Sequence, residues 1–218
     1  MNTVLVINPN SNESVTAGLE AAVQGWQAMA DVRVECSTLS DGPFGIESDA
    51  DIRAVEPLLQ AEMQRRSDCA AFVIACYSDP GLETCRRTMS KPVFGMQQSA
   101  VATAIAQGGK FGVLALSQRS IERHLVYLRR LGVRPLLAGE RPLDLSVDEA
   151  ANGPETLERI VENGRQLIDT DGASVLILGC AGMAVHRLAA EQKLGVVVVD
   201  PVQAATAFAV AAVVNRQQ

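Results

Sequence analysis

Short apolar runs alternate with helix-period patterns along the whole of this sequence, and few folds accept such an alternation. The runs fall near residues 3–7, 32–37, 71–75, 93–95, 111–116, 134–137, 174–179 and 196–199. Helical patterns follow near 13–29, 49–66, 80–88, 97–107, 118–131, 154–169, 182–190 and 201–215. An apolar run bounded by Gly or Pro and rich in β-branched residues reads as an interior parallel strand. Strands that alternate with helices make βαβ units, so the expected class is α/β. Asp41-Gly42-Pro43, Gly108-Gly109, Asp171-Gly172 and Asp200-Pro201 supply the turns between elements.

The elements divide into two half-copies. The opening Val4–Asn8 run corresponds to Phe111–Leu116, and the run ending at Cys76 corresponds to the one ending at Cys180. Gly95 follows Cys76 by 19 residues, and Val199 follows Cys180 by 19. Small-residue helices, Gln97–Gln107 and Pro201–Val210, come next in both halves. Matched spacing of this kind marks a duplicated unit. Two facing units would bring the carboxyl ends of their strands to one cleft, where open α/β sheets bind ligands. The second closing helix is expected to pack on the first unit. The lobes would then be residues 1–96 with about 200–218, and residues 97–199.

Cys76 and Cys180 each end a strongly apolar run and are each followed by small residues and a turn. A thiolate is both nucleophile and base, and a helix N-terminus is one means of lowering a thiol's pKa. Helix starts just beyond both cysteines would aim unpaired backbone N–H groups at each sulfur. The same donors could hold a carbonyl oxygen that gains charge when the adjacent carbon loses its proton. One thiol from each half is what proton transfer on both faces of one carbon requires. A buried cysteine can also be no more than a small hydrophobe, and Cys36, Cys69 and Cys85, which lack the pattern, are assigned to packing or surface.

Asn10, after the first strand, could hydrogen-bond in the crevice, and Ser117 occupies the matching place in the second half, as binding group or helix cap. Asp79 beside Pro80 reads as an N-cap before a ligand contact. His186 reads as structural or surface, His124 as part of a solvated helix face, and Trp26 as core.

Composition removes other classes. A net charge of −6, with lysines and arginines scattered, argues against nucleic acid. No run approaches the ~18 apolar residues of a membrane span. Five cysteines without an export signal lead us to expect reduced thiols and a cytoplasmic location. There is no C-x-x-C pair and there are two histidines, so no metal is expected. Neither G-x-G-x-x-G after the first strand nor a Walker A motif occurs, so no nucleotide cofactor is expected; a G-x-S-x-G elbow is also missing.

Ile7-Asn8-Pro9-Asn10-Ser11, the Gly42–Ser48 segment, Ile74-Ala75-Cys76, Asp79-Pro80-Gly81-Leu82 and the Leu178–Met183 segment together resemble the hydantoin/allantoin racemase branch of the aspartate/glutamate racemase superfamily. The resemblance covers nearly the whole chain. It implies two similar α/β lobes with parallel sheets flanked by helices, related by a pseudo-dyad, with the active site in the cleft between them. It also implies a cofactor-independent two-base reaction on a small-molecule substrate. One of Cys76 and Cys180 removes the C5 proton of a hydantoin ring, and the other protonates the opposite face. By position, Asn10 and Ser117 would bind the ring, and the Pro43–Ile46 loop, with Phe44 and Ile46, would border its substituent. Backbone donors near Ser78, Asp79, Ala181 and Gly182 would stabilise the planar intermediate. Tyr77-Ser78 stands where relatives commonly have Phe-Gly and adds two hydroxyls at the mouth. Leu116-Ser117 replaces a pair of threonines. A homo-oligomer is expected by the same resemblance. A maleate cis–trans isomerase, an arylmalonate decarboxylase-like enzyme and a non-catalytic small-molecule binding protein are the alternatives.

Overall fold

The computed structural model describes residues 2–27 and 32–216. They form two four-stranded sheets in which every neighbouring pair is parallel. The first contains β1 (Asn2–Asn8), β2 (Val32–Thr38), β3 (Ala71–Ile74) and β4 (Val93–Gly95), ordered β2-β1-β3-β4. The second contains β5 (Phe111–Ala115), β6 (Leu137–Pro142), β7 (Val175–Leu178) and β8 (Val197–Val199), ordered β6-β5-β7-β8. The strand order is the same in both, as duplication requires. β3, β5 and β7 are buried along their whole length, because helices cover both faces of a parallel sheet.

The helices are α1 (Glu13–Gln27), α2 (Asp49–Arg65), α3 (Leu82–Thr88), α4 (Met96–Gln107), α5 (Gln118–Arg130), α6 (Val147–Asn152), α7 (Thr156–Asp169), α8 (Arg187–Leu194) and α9 (Pro201–Asn215). The expected last turn of α1, residues 28 and 29, lies outside the described residues. The two closing helices change places. α4 buries Ala100, Val101 and Ala104 against Phe111, Val113 and Ile177 of the second sheet. α9 buries Val202, Ala205 and Ala209 in one cluster with Val4, Val6 and Val73 of the first, and packs on β1 and β3. Both helices are rich in alanine, so they also pack closely on each other.

Three elements depart from the sequence reading. The strand expected at 134–137 starts at Leu137, because Arg134–Leu136 form a 3-10 turn with Pro135 at its start; proline has no N–H to give a sheet ladder. α6 was not expected. Ser146 caps it: the Ser146 hydroxyl accepts the Glu149 N–H at 3.2 Å, and the Glu149 carboxylate accepts the Ser146 N–H at 2.8 Å, the reciprocal pair of a capping box. The helix expected at 182–190 is a 3-10 turn over Ala181–His186 followed by α8.

Candidate active site

Parallel pairing sets the ends of the central strands level. Ile7 of β1 pairs with Ile74 of β3, and Leu114 of β5 pairs with Leu178 of β7. Cys76 lies two residues beyond Ile74, and Cys180 two beyond Leu178. The thiols therefore leave equivalent points of the two sheets. Both line one narrow cavity between the lobes that opens to solvent.

Each sulfur is met by backbone N–H groups from the turn after it. At Cys76 these come from the Ser78 N–H, joined by the Ser78 hydroxyl. At Cys180 they come from Gly182 and Met183. The Asp79 N–H closes the turn after β3 on the Cys76 carbonyl at 3.0 Å, and Asp79 and Gly81, with positive φ of 45° and 64°, turn the chain on towards α3. Gly179 is required by close approach, since a Cβ there would lie 2.5 Å from the Leu114 carbonyl oxygen.

These donors pull each thiol's pKa down, but burial outweighs them, so the net shift is opposite to the one the sequence leads one to expect. Burial pushes the Cys76 thiol up to about 11 and the Cys180 thiol up to about 12. Desolvation of a charge outweighs two or three hydrogen bonds in a closed site. The negative charge of Cys76 also raises Cys180, as does that of Glu47.

Asn10, Ile46, Tyr77, Ser78 and Ala181 join the two cysteines in the cavity wall. Asn10 is buried, and its Oδ1 accepts the Asn8 side-chain amide at 3.0 Å and the Asn12 N–H at 2.9 Å. That fixes the amide orientation and leaves its Nδ2 donors unspent. Phe44, Asp79, Ser117 and Gly182 lie off the wall. Phe44 is exposed. Ser117 caps α5, accepting the Ser120 N–H at 3.3 Å, and faces a neighbouring recess. Asp79 caps a helix, but not the one after Pro80: its carboxylate accepts the Gln97 and Gln98 N–H groups of α4 at 2.9 and 3.0 Å. Gly182 packs on α6, 3.2 Å from the Val147 carbonyl oxygen where a Cβ would stand.

His124 requires a correction. Read as part of a solvated face, it is buried and lines the cavity. Its Nδ1 lies 2.9 Å from Glu140 Oε2, and its ring meets Tyr77 edge-on with centroids 4.9 Å apart. Leu116, Ser120, Arg123 and Val147 also face the cavity and were missed. A usable signal was present, because Ser117, Ser120 and His124 stand at i, i+3 and i+7 on one side of α5. Cys69 and Cys85 are buried, Cys36 half-buried, and Trp26 packs partly buried against the largest core cluster. Among the described residues no three His, Cys, Asp or Glu side chains gather to hold a metal, and no helix is long and apolar enough to cross a membrane.

Two sheets of one strand order, each ending at a thiol on a shared cleft, define a two-lobed α/β enzyme of the Asp/Glu/Hydantoin racemase family. The chain matches that family from residue 4 to residue 209 and belongs to it. It is 32% identical over 209 residues to the hydantoin racemase of Pseudomonas sp. (strain NS671), covering 94% of this chain and 84% of that protein. The allantoin racemase from Klebsiella pneumoniae superposes with a TM-score of 0.91 at 25% identity, over 100% of this chain and 89% of that one. The allantoin racemase from Pseudomonas fluorescens does so with 0.87 at 26%, over 99% and 92%. The chain is an isomerase of the hydantoin/allantoin racemase branch.

Proposed function

We propose that this racemase interconverts the enantiomers of a 5-substituted hydantoin, allantoin included, with Cys76 and Cys180 as its two bases. One observation carries the reading: thiols from equivalent points of two sheets line a single cavity, each with N–H donors at its sulfur. Relatives named for hydantoin and allantoin supply the ring chemistry.

A ring lying between the sulfurs presents the C5–H to one of them. That sulfur, as thiolate, takes the proton, and the C–H electron pair moves into the neighbouring ring carbonyl as an enolate. The opposite thiol gives its proton to the other face of C5, the carbonyl re-forms, and the two sulfurs end with thiol and thiolate exchanged. The Asn10 amide is placed to donate to a ring carbonyl.

Incubating single enantiomers of alkyl, aryl and ureido hydantoins in deuterium oxide tests this. Loss of optical rotation together with deuterium at C5 is expected. If neither appears across the panel, the substrate assignment fails; a covalent mass adduct of maleate on Cys76 would assign the isomerase alternative instead.

A further inference from the structure

Ser78, Arg123 and His124 line the cysteine cavity and also a second, wider hollow between α2 and α5 with about 860 Å³ of free space. Ile52, Val126 and Tyr127 give the hollow its apolar lining, Val126 on an exposed face. Around it stand Arg53, Arg123 and Arg130, against one lining carboxylate, Asp49. This cationic excess sits in a chain whose net charge is −6.

Arg123 is the best placed of the three. Its Nε is buried and has no hydrogen-bond partner. Its remaining contacts are long: Nη1 to Asp49 Oδ1 at 3.4 Å, with that carboxylate mostly exposed, and Nη2 to Ser120 Oγ at 3.3 Å. A buried guanidinium N–H without an acceptor is costly, and a carboxylate is the acceptor whose two oxygens match the guanidinium fork. Arg53, exposed on the facing helix, makes no ion pair or hydrogen bond among the described residues. Arg130 lies over the Tyr127 ring at 5.0 Å.

We infer that this hollow receives the substituent at C5 and that Arg123, with Arg53, recognises a carboxylate at its end, so that the preferred substrates carry an acidic side chain. The inference rests on the proposed ring chemistry. The apolar lining accommodates the methylene linker, and Ser78, Arg123 and His124 form the border shared with the cysteine cavity.

The test compares the hydantoin bearing a carboxyethyl group at C5 with its uncharged carbamoylethyl counterpart, in the native enzyme, Arg123→Gln and Arg53→Gln. At low salt the carboxylate should be favoured by ~10-fold or more in kcat/KM, the scale of one charge-assisted pair. The ratio should fall towards one in Arg123→Gln and drop in Arg53→Gln, mainly through KM. Equal kcat/KM for the two compounds in the native enzyme, or a ratio that survives both substitutions, would overturn it. If neither compound is racemised while alkyl or ureido hydantoins are, the inference is overturned; if no hydantoin is racemised, the proposed ring chemistry fails, and thermal stabilisation decides the carboxylate site alone. A larger upward shift with the carboxylate than with the amide, lost in Arg123→Gln, supports it; equal shifts refute it.

Discussion

His124 and Glu140 meet at 2.9 Å, Nδ1 to Oε2, with both side chains almost wholly buried. α5 brings the histidine and β6 the glutamate, so the contact locks a helix of the second lobe to its edge strand. Tyr77 of the first lobe packs on the same imidazole, which carries the constraint across the cleft.

Breaking this contact should cost stability out of proportion to the atoms removed. His124→Phe leaves the buried Glu140 carboxylate without its hydrogen-bond partner and should destabilise by about 1–3 kcal/mol. The double variant His124→Phe/Glu140→Leu should recover most of that loss, because replacing both members of a buried polar pair is far milder than removing one. Urea unfolding of the two variants provides the comparison; equal losses would show that the contact is not the cause.

Replacing either thiol should separate exchange from inversion. Cys76→Ser or Cys180→Ser should lower racemisation by about 10²–10⁴-fold, because a hydroxyl is a far weaker acid than a thiol. Each variant should still exchange the C5 proton of one enantiomer with deuterium, through the thiol that remains. Proton NMR and polarimetry on both enantiomers would read this, and a variant that still inverts at the native rate would remove that cysteine from the reaction.

The thiol pKa values set a pH profile. With Cys76 pushed up to about 11 and Cys180 to about 12 by burial, kcat/KM should climb by about tenfold per unit through the mildly alkaline range, after subtraction of the uncatalysed rate. A flat profile between pH 7 and 9 would mean that one thiol of the free enzyme is already ionised there.

Asp200 offers a stability test of opposite character. It caps α9, accepting the Val202 N–H at 2.8 Å, while its Oδ2 is buried without a partner. Burial lifts its carboxyl from 3.8 to about 6. The folded state thus holds this proton more tightly than the unfolded chain, so the contribution is present below pH 4 and is lost as pH rises through 6. Asp200→Asn keeps a capping oxygen and should gain stability relative to the native protein as pH rises from 4 to 7. Denaturation at the two pH values measures it.

Gly95 leaves no room for a side chain. A Cβ there would lie 2.5 Å from Asp79 Oδ1 and push the carboxylate away from the α4 N-terminus. Gly95→Ala should cost about 1–3 kcal/mol, whereas Gly132→Ala, where nothing lies within 4 Å but φ is +73°, tests strain without crowding. Chemical denaturation of both would distinguish the two causes.

The alternation of strands and helices, the duplication and the level positions of Cys76 and Cys180 were readable because they depend on local periodicity and spacing. The start of β6 was not, since its apolar residues begin before Pro135 has finished its turn. α6 went unseen although Ser146 and Glu149 spell out its cap, because six residues carry too little periodicity to register. His124 was hidden by the arginines around it; its burial depends on Glu140 and Tyr77, neither of which is near it in sequence. The direction of the thiol pKa shift failed for a related reason. Sequence shows the N–H donors beside each sulfur but not the volume of protein that encloses it.

The exchange of α4 and α9 makes the two halves mutual lids. Cut in the loop before β5, neither fragment could shield its own sheet: each would bare the alanine-sized seat that the other's last helix fills. The clasp also fixes the spacing of the cleft, so an enzyme that must sandwich a flat ring needs no separate hinge to set the gap. It inherits that width from a trade of helices between the lobes.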